Sequence, residues 1–313
     1  MIRTLIKKGV SHPVLATLAR CQVFGKSPAG IFLRVNKWVW DRLPSRIRDL
    51  GIIRSYSAWL HTLVRLHARR QQYFGTFFLR NRPALELIRR LSGQKGHGAT
   101  LRIAVLGCSI GAEVYSILYA VRSARPDLKV VLHALDISSE ILKFAERGVY
   151  DAGTSALVGS SIFERMTTEE KREMFDWKGD QATVKSWLRE GIIWKLGDAA
   201  EAELASDIEI QDIVVASNFL CHMAPLDAEK CLRNFARLVE SGGHVLVSGV
   251  DLDVRTKVAV DLGWKPMPVL IEEIHDGDPS LRGHWPWAWW GLEPLDQRRP
   301  DWLIRYAAAF QVG

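Results

Sequence analysis

The sequence predicts an α/β protein in which a mostly parallel sheet carries helices on both faces and follows an α-helical domain. Beyond residue 100, short β-branched runs alternate with helical segments, a pattern typical of a parallel sheet covered on both faces. Before residue 92, apolar and basic residues recur with helical spacing, as Trp59, Leu63 and Leu66 do. Between them, the stretch 92–100 contains three glycines and no periodicity, so it is predicted as a linker.

Charge divides the chain at nearly the same place. Residues 1–100 hold 19 Lys and Arg against 3 Asp and Glu, whereas residues 101–313 hold 23 against 32. We therefore expect a basic helical domain over residues 1–91 and a second domain over residues 101–313 with a Trp-rich C-terminal segment. The composition, 48% hydrophobic and 25% charged, is that of a folded globular protein and excludes a disordered chain, a collagen and a coiled coil.

Membrane and metal signals are weak in this sequence. No stretch approaches the roughly 18 consecutive apolar residues of a membrane-spanning helix, and no leader pattern opens the chain. A cytoplasmic location is therefore expected, with peripheral membrane association as an open alternative. The four cysteines are too scattered for a disulfide framework or a zinc site, so we expect structural thiols and no bound metal.

Five apolar runs after the linker are predicted as strands, at 101–106, 130–135, 192–196, 213–216 and 244–248. Helices are predicted between them at 112–122, 140–147 and 228–240. A small or polar residue stands just beyond each strand, namely Gly107, Asp136, Asp198, Asn218 and Asp251. Because open parallel sheets bind ligands outside the carboxyl ends of their strands, these five residues are predicted to converge on one site.

The end of the first strand has the pattern of a cofactor-binding turn. Gly107 and Gly111 delimit it, and glycines let a ligand approach the backbone, while the acidic Asp136 can accept hydrogen bonds from ribose hydroxyls. This pattern fits a dinucleotide or S-adenosylmethionine. Glu113 puts a negative charge in the first helical turn, where a pyrophosphate needs a positive field but an ammonium and a sulfonium group are favoured. S-adenosylmethionine is therefore preferred, a nicotinamide dinucleotide is the weaker alternative, and a capped helix without a ligand explains Glu113 alone.

Six short segments carry a further pattern. They are TFFLR at 76–80, GCSIGAEVYS at 107–116, ALDI at 134–137, GVY at 148–150, SNF at 217–219 and GGHVL at 242–246. In this order they resemble the chemotaxis-receptor glutamate methyltransferases, the CheR-type family, over residues from about 73 to 251. The resemblance implies a class I methyltransferase fold, which is Rossmann-like, with S-adenosylmethionine as cofactor and S-adenosylhomocysteine as product.

The resemblance also implies roles for particular residues. Thr76 and Arg80 would contact the amino-acid end of the cofactor, and Glu113 would lie near its ammonium group. Asp136 would hold the ribose hydroxyls. The other residues that the resemblance assigns to the cofactor site are Gly107, Gly111, Ile137, Gly197, Asp198, Asn218 and Phe219.

The sequence departs from this family where the methyl acceptor is expected. His222 stands where the family has a tyrosine, Ser217 replaces an arginine, and GVD at 249–251 replaces Gly-His-Ser-Glu. A carboxylate acceptor needs no base, whereas a hydroxyl or ammonium acceptor must lose a proton that a histidine can take. We therefore predict transfer to an oxygen or nitrogen with His222 as the catalytic base. Two alternatives stay open: His222 only shapes the pocket, or the chain methylates glutamate carboxylates of a chemoreceptor-like protein.

The two ends of the chain bear on its partners. A small-molecule or lipid-like acceptor is favoured over a protein, and the run HWPWAWW at 284–290 is interpreted as pocket lid and core. The basic residues of the first hundred are interpreted as solvating helices, ahead of contact with an anionic membrane and then with nucleic acid. The acids and histidine at 272–278 match no metal template and are interpreted as a solvated turn.

Overall fold

A computed structural model describes residues 28–48, 50–67, 75–153, 161–278, 285–287, 291 and 293–313. The chain divides into two compact units, the first within residues 1–69 and 283–289 and the second within residues 70–282 and 290–313. The predicted linker 92–100 lies inside the second unit, so the division comes earlier in the chain than periodicity and charge indicate. The reason is that the helix before this stretch, Arg82–Ser92, packs against the helix after the first strand.

The first unit is helical, as its sequence predicts. Its helices are α1 (Pro28–Trp40), α2 (Ser45–Arg48) and α3 (Gly51–His67). Trp40 is buried in this unit with its ring 6.2 Å from that of Trp285, and Nδ1 of His61 lies 2.6 Å from the backbone oxygen of Pro286. Residues 285–287 of the tryptophan-rich run therefore belong to the core of the helical unit, while residues 284 and 288–290 lie outside the described residues.

The second unit is built on a seven-stranded sheet. Its strands and those of a smaller sheet are β1 (Thr100–Leu106), β2 (Lys129–Asp136), β3 (Val149–Asp151), β4 (Phe175–Lys178), β5 (Gln181–Val184), β6 (Ile192–Leu196), β7 (Gln211–Ser217), β8 (Val239–Ser248), β9 (Lys265–Pro266) and β10 (Ala309–Gln311). The strand order of the large sheet is β6-β2-β1-β7-β8-β10-β9. The first five of these strands are parallel, and β10 and β9 add an antiparallel edge.

Helices cover both faces of this sheet, which confirms the predicted fold class. They are α4 (Arg82–Ser92), α5 (Ala112–Ala124), α6 (Ser139–Arg147), α7 (Thr168–Met174), α8 (Ser186–Arg189), α9 (Leu204–Asp207), α10 (Pro225–Phe235), α11 (Leu252–Asp261), α12 (Ile271–Asp276) and α13 (Trp302–Tyr306). Side chains of β1 alternate between two hydrophobic clusters, with Ile103 and Val105 in one and Ala104 and Leu106 in the other. Burial on both faces explains why the parallel strands are near-continuous apolar runs.

Two details differ from the sequence prediction. The helix predicted over 228–240 ends at Phe235, because Val239 already pairs with Gln211 and begins β8. The small antiparallel sheet, in the order β3-β5-β4, is an addition between β2 and β6 that no predicted strand anticipated.

The described residues also bear on the predictions about membrane-spanning helices and cysteines. Within the described ranges, no helix combines the length and apolar character needed to cross a membrane. Cys108, Cys221 and Cys231 are buried, and Cys21 lies outside the described residues. Burial raises the pKa of Cys108 and raises that of Cys231 to about 12, so both are held as unreactive thiols.

Candidate active site

A cavity of the second unit opens at the carboxyl ends of the parallel strands, where β1 has β2 on one side and β7 on the other. It is lined by Thr76, Arg80, Gly107, Glu113, Asp136, Ile137, Gly197, Asp198, Asn218, Phe219 and His222. All of these are residues that the sequence assigns to the site. Two predicted residues, Gly111 and Asp251, are not in the cavity wall. Asp251 is buried at the N-terminus of α11 instead of converging on the site.

The two glycines of the turn after β1 serve different purposes. At Gly107, with φ of +68°, a Cβ atom would stand 2.8 Å from Cδ1 of Phe219, so only glycine lets this ring lie against the turn. At Gly111, with φ of +85°, a Cβ atom would stand 3.0 Å from Cβ of Ala145 and 3.2 Å from the ring of Trp194. Packing against neighbouring elements, rather than access for a ligand, explains Gly111.

The carboxylate of Asp136 is fixed at the end of β2. It is buried, and its two oxygens accept hydrogen bonds from the backbone N–H groups of Ser109 (2.9 Å) and Ser138 (3.1 Å). These two bonds tie the turn after β1 to the turn after β2. Since each carboxylate oxygen can accept more than one hydrogen bond, the group retains acceptor capacity toward the cavity.

Glu113 lies in the first turn of α5 and is partly buried. Burial raises the pKa of its carboxyl group, and a hydrogen bond with Ser217 and the charge of Arg80 oppose this rise. Ser217 thus supports Glu113 at the position where the CheR resemblance expects an arginine. A carboxylate held in this way is a favourable neighbour for a ligand cation, because such a cation restores the charge balance.

Arg80 belongs to a partly buried ionic cluster at the rim of the cavity. Its Nε lies 2.5 Å from one oxygen of Asp278, and Nη2 of Arg165 lies 2.8 Å from the other. Arg165 also donates from Nη1 to the backbone oxygen of Arg80, at 2.8 Å. Arg165 also lies 3.7 Å from the carboxylate of Glu164, and Thr76 is buried in the same cavity wall as Arg80.

This cluster corrects the interpretation of residues 272–278 as a solvated turn. Residues Ile271–Asp276 form α12, and both His275 and Asp278 are buried. The sequence contains no local signal for the pairing, because Arg80 and Asp278 are 198 residues apart.

The wall beyond β7 is built from two close backbone segments. Asn218 has φ of +58°, and a Cβ atom on Gly249 would stand 2.5 Å from the Cα of Asn218. A short 3₁₀ helix, Leu220–His222, follows and is closed by a hydrogen bond from the His222 N–H to the Phe219 carbonyl at 3.0 Å. This turn brings Phe219 and His222 to the same cavity.

Three further residues line the cavity although the sequence does not predict them there. They are Arg255, His275 and Tyr306. His275 donates from Nε2 to the Glu293 carbonyl at 3.0 Å, and its ring meets that of Tyr306 edge-on at 5.6 Å. Arg255 is buried and donates to the carbonyls of Val247 (2.9 Å) and Arg305. Burial lowers the pKa of Arg255 to about 9.

The charges around the cavity fit S-adenosylmethionine. Arg80 offers a cation for a carboxylate, Glu113 an anion for an ammonium group, and Asp136 a fixed acceptor for ribose hydroxyls. A pyrophosphate would instead meet the negative charge of Glu113 at the N-terminal turn of α5, where it needs positive charge.

Comparison with known proteins identifies a family and one relative. The family described as CheR methyltransferase, SAM binding domain, matches residues 75–255. An uncharacterized 104.1 kDa protein of Rhodobacter capsulatus is 26% identical over 182 residues, which make up 56% of this chain and 18% of that protein. The chain therefore spans less than a fifth of the curated relative it matches.

Three solved methyltransferase structures are similar to this chain at low identity. The N-methyltransferase NodS of Bradyrhizobium japonicum, in complex with S-adenosylhomocysteine, is 17% identical with a TM-score of 0.34, over 59% of this chain and 76% of that one. Magnesium protoporphyrin IX methyltransferase of Synechocystis, with bound S-adenosylmethionine, is 15% identical with a TM-score of 0.33, over 59% and 71%. An O-methyltransferase family protein of Burkholderia thailandensis is 11% identical with a TM-score of 0.34, over 74% and 56%.

Proposed function

The chain belongs to the CheR family of S-adenosylmethionine-dependent methyltransferases, and from that premise we propose that it methylates an oxygen or nitrogen of a small-molecule or lipid-like acceptor. His222 carries the proposal, because this histidine lines the cavity at the position where the resemblance to the family expects a tyrosine. Bound S-adenosylmethionine supplies an electrophilic methyl group on a sulfonium. The residues of this chain hold the donor, orient the acceptor and remove its proton.

The proposed binding of the donor uses three charged residues of the wall. Asp136, already anchored by Ser109 and Ser138, accepts hydrogen bonds from the ribose hydroxyls. Glu113 pairs with the ammonium group, and Arg80 pairs with the carboxylate. The opposite charges of Glu113 and Arg80 act on each other in the ligand-free protein, which is consistent with one zwitterionic group between them.

Part of the cavity wall is formed by residues outside the family match. That match ends at residue 255, whereas Ile274, His275, Asp278, Tyr306 and Ala308 also line the cavity. A wall contributed by residues beyond the shared domain supports an acceptor different from the receptor glutamate of the resembling enzymes.

In the proposed reaction, a lone pair on the acceptor oxygen or nitrogen attacks the methyl carbon. The new O–C or N–C bond forms as the C–S bond breaks, the bonding electrons pass to sulfur, and the acceptor proton passes to His222. Holding the reacting atoms about 3–3.5 Å apart and in line accounts for most of the acceleration. Proton removal by a positioned base adds roughly 10²–10⁴-fold.

Labelled methyl transfer tests the class of acceptor. The full chain is incubated with methyl-labelled S-adenosylmethionine and a cell extract separated into protein, lipid and small-molecule fractions. Label that enters the lipid or small-molecule fraction and survives mild base is expected, because ethers and methylamines do not hydrolyse as carboxyl esters do. Base-labile label on protein would overturn the proposal in favour of glutamate carboxyl methylation.

A substitution then tests the base. With the acceptor identified, His222→Gln is expected to lower kcat by roughly 10²–10⁴-fold with little change in KM. The matched control is His97→Gln, which changes an exposed histidine outside the cavity wall. Unchanged turnover in His222→Gln would mean that His222 is not the base and only shapes the pocket.

A further inference from the structure

We propose that the first unit binds the surface of an anionic phospholipid bilayer through one exposed apolar patch. This apolar patch consists of Ile31, Phe32, Val35, Trp38 and Val39 of α1 together with Ile52, Tyr56 and Trp59 of α3. Contiguous exposed apolar surface of this kind marks an interaction site rather than ordinary solvated surface. The patch lies in the helical unit, so the proposal does not depend on the cofactor site.

Helix α1 is apolar on two faces. Trp40 on one face is buried within the unit, whereas Ile31, Val35 and Trp38 recur at i, i+4 and i+7 on the other and point to solvent. Val35 is 56% exposed and Trp38 58%. Because an exposed apolar stripe of this length marks an interaction site, we expect the second face of α1 to be covered by a partner.

Helix α3 extends the same surface. Ile52, Tyr56 and Trp59 follow the same i, i+4, i+7 spacing, and Ile52 is 79% exposed. The ring of Trp59 lies 6.0 Å from Phe32 of α1 and 5.7 Å from Tyr56. The two apolar stripes therefore meet and form one surface across both helices.

Positive charge surrounds the patch. Residues 28–67 hold seven Lys and Arg against two Asp, and Arg34, Arg42 and Arg54 are exposed on the helices or on the turn after α1. The guanidinium group of Arg42 stands 4.0 Å from the ring centre of Trp38. A patch of tryptophan and aliphatic residues edged by arginines is the composition of helices that lie in the headgroup region of anionic membranes.

The aliphatic residues favour a bilayer over nucleic acid. Single-stranded nucleic acid is bound by cations on phosphates and by aromatic rings on bases. Ile31, Val35, Val39 and Ile52 have no counterpart in such a complex and would stay in water, whereas the acyl region of a bilayer buries them.

Vesicle sedimentation tests the proposal with the full chain. The vesicles are phosphatidylcholine alone, or about two-thirds phosphatidylcholine and one-third phosphatidylglycerol. The chain is expected to sediment with the anionic vesicles, to be released as salt is raised, and to stay in solution with phosphatidylcholine alone. Absence of sedimentation with anionic vesicles at low salt would overturn the proposal, and so would patch-dependent binding of polyuridylate in place of vesicles.

Variants locate the binding surface. The double change Val35→Ser and Trp38→Ser is expected to weaken vesicle binding by roughly tenfold or more, and Arg34→Gln by roughly fivefold. Leu226→Ser, in α10 of the second unit, removes an apolar side chain that is even more exposed, at 79%, and is expected to leave vesicle binding unchanged. Unaltered S-adenosylhomocysteine affinity in all variants shows that the cofactor domain is intact. Equal binding by the wild type and the double variant would refute the patch as the docking surface.

Discussion

The charge of Glu113 gives the sharpest test of how the cavity holds its cofactor. Glu113→Gln keeps the size and hydrogen-bonding capacity of the side chain but removes its charge. A charge-assisted hydrogen bond between a carboxylate and an ammonium group contributes about 1.5–3 kcal/mol, so S-adenosylhomocysteine should bind the variant roughly 10- to 150-fold more weakly. The assay is calorimetric titration of both proteins at several pH values.

The pH dependence follows from the direction of the shift. Burial raises the pKa of Glu113 above its ordinary value of 4.5, and the ligand's ammonium group pairs with the ionised form only. Affinity of the wild type should therefore fall as the pH is lowered through this raised pKa, while this dependence is absent from Glu113→Gln.

Glu113→Gln should weaken ligand binding, but it should not destabilise the ligand-free protein. A carboxyl group whose pKa is raised by folding lowers the free energy of unfolding at a pH above its unfolded pKa, because ionisation is easier in the unfolded chain. Glu113→Gln should therefore have an equal or higher melting temperature at neutral pH. Glu140→Gln is the matched control, since Glu140 also occupies a first helical turn but is exposed and outside the cavity wall. Equal ligand affinity in wild type and Glu113→Gln would refute the reasoning.

Two further predictions concern packing and buried charge. Gly107→Ala should lower the free energy of unfolding by about 2–5 kcal/mol, because its Cβ would meet Phe219 at 2.8 Å on a left-handed backbone. Urea unfolding measures this, and Gly98→Ala, with a similar φ of +70° and open space, should cost only about 1–2 kcal/mol. Asp278→Asn removes the carboxylate shared by two cavity-rim arginines and should cost about 3–5 kcal/mol. The exposed pair made by Asp296 is the control, and Asp296→Asn should cost under about 1 kcal/mol.

Comparison of each variant with its control shows which results would contradict these two predictions. Equal losses in the two glycine variants would mean that the ring of Phe219 does not restrict the turn. Equal losses in the two aspartate variants would mean that the carboxylate of Asp278 is not holding buried positive charge.

The parallel core of the fold could be predicted because its central strands β1, β2 and β7 are largely buried, apolar runs. Residues such as Ile103 and Val105 face one hydrophobic cluster and Ala104 and Leu106 the other, so burial on both faces leaves its mark in the sequence. The small antiparallel sheet leaves no such mark, since β3 has three residues and β4 is mostly exposed. Its strands are specified by pairing with one another rather than by a local pattern.

In the cavity too, some residues could be predicted from a local sequence pattern and others could not. Asp136, Glu113 and Asn218 could be placed because each stands at a strand end or a helix start, where the fold alone dictates position. Asp278 and His275 could not, because they reach the cavity through packing between distant parts of the chain. Sequence alone predicts a ligand contact at Gly111, because a glycine in a turn indicates a close approach but not which group approaches.

Calorimetric titration with S-adenosylhomocysteine tests the central claim most directly. The account predicts saturable one-to-one binding by the wild type and by Asp176→Ala, which changes an exposed aspartate of β4. It predicts binding at least roughly tenfold weaker by Asp136→Ala, because the anchored acceptor of the ribose hydroxyls is lost. Absence of binding by the wild type, or undiminished binding by Asp136→Ala, would contradict the account.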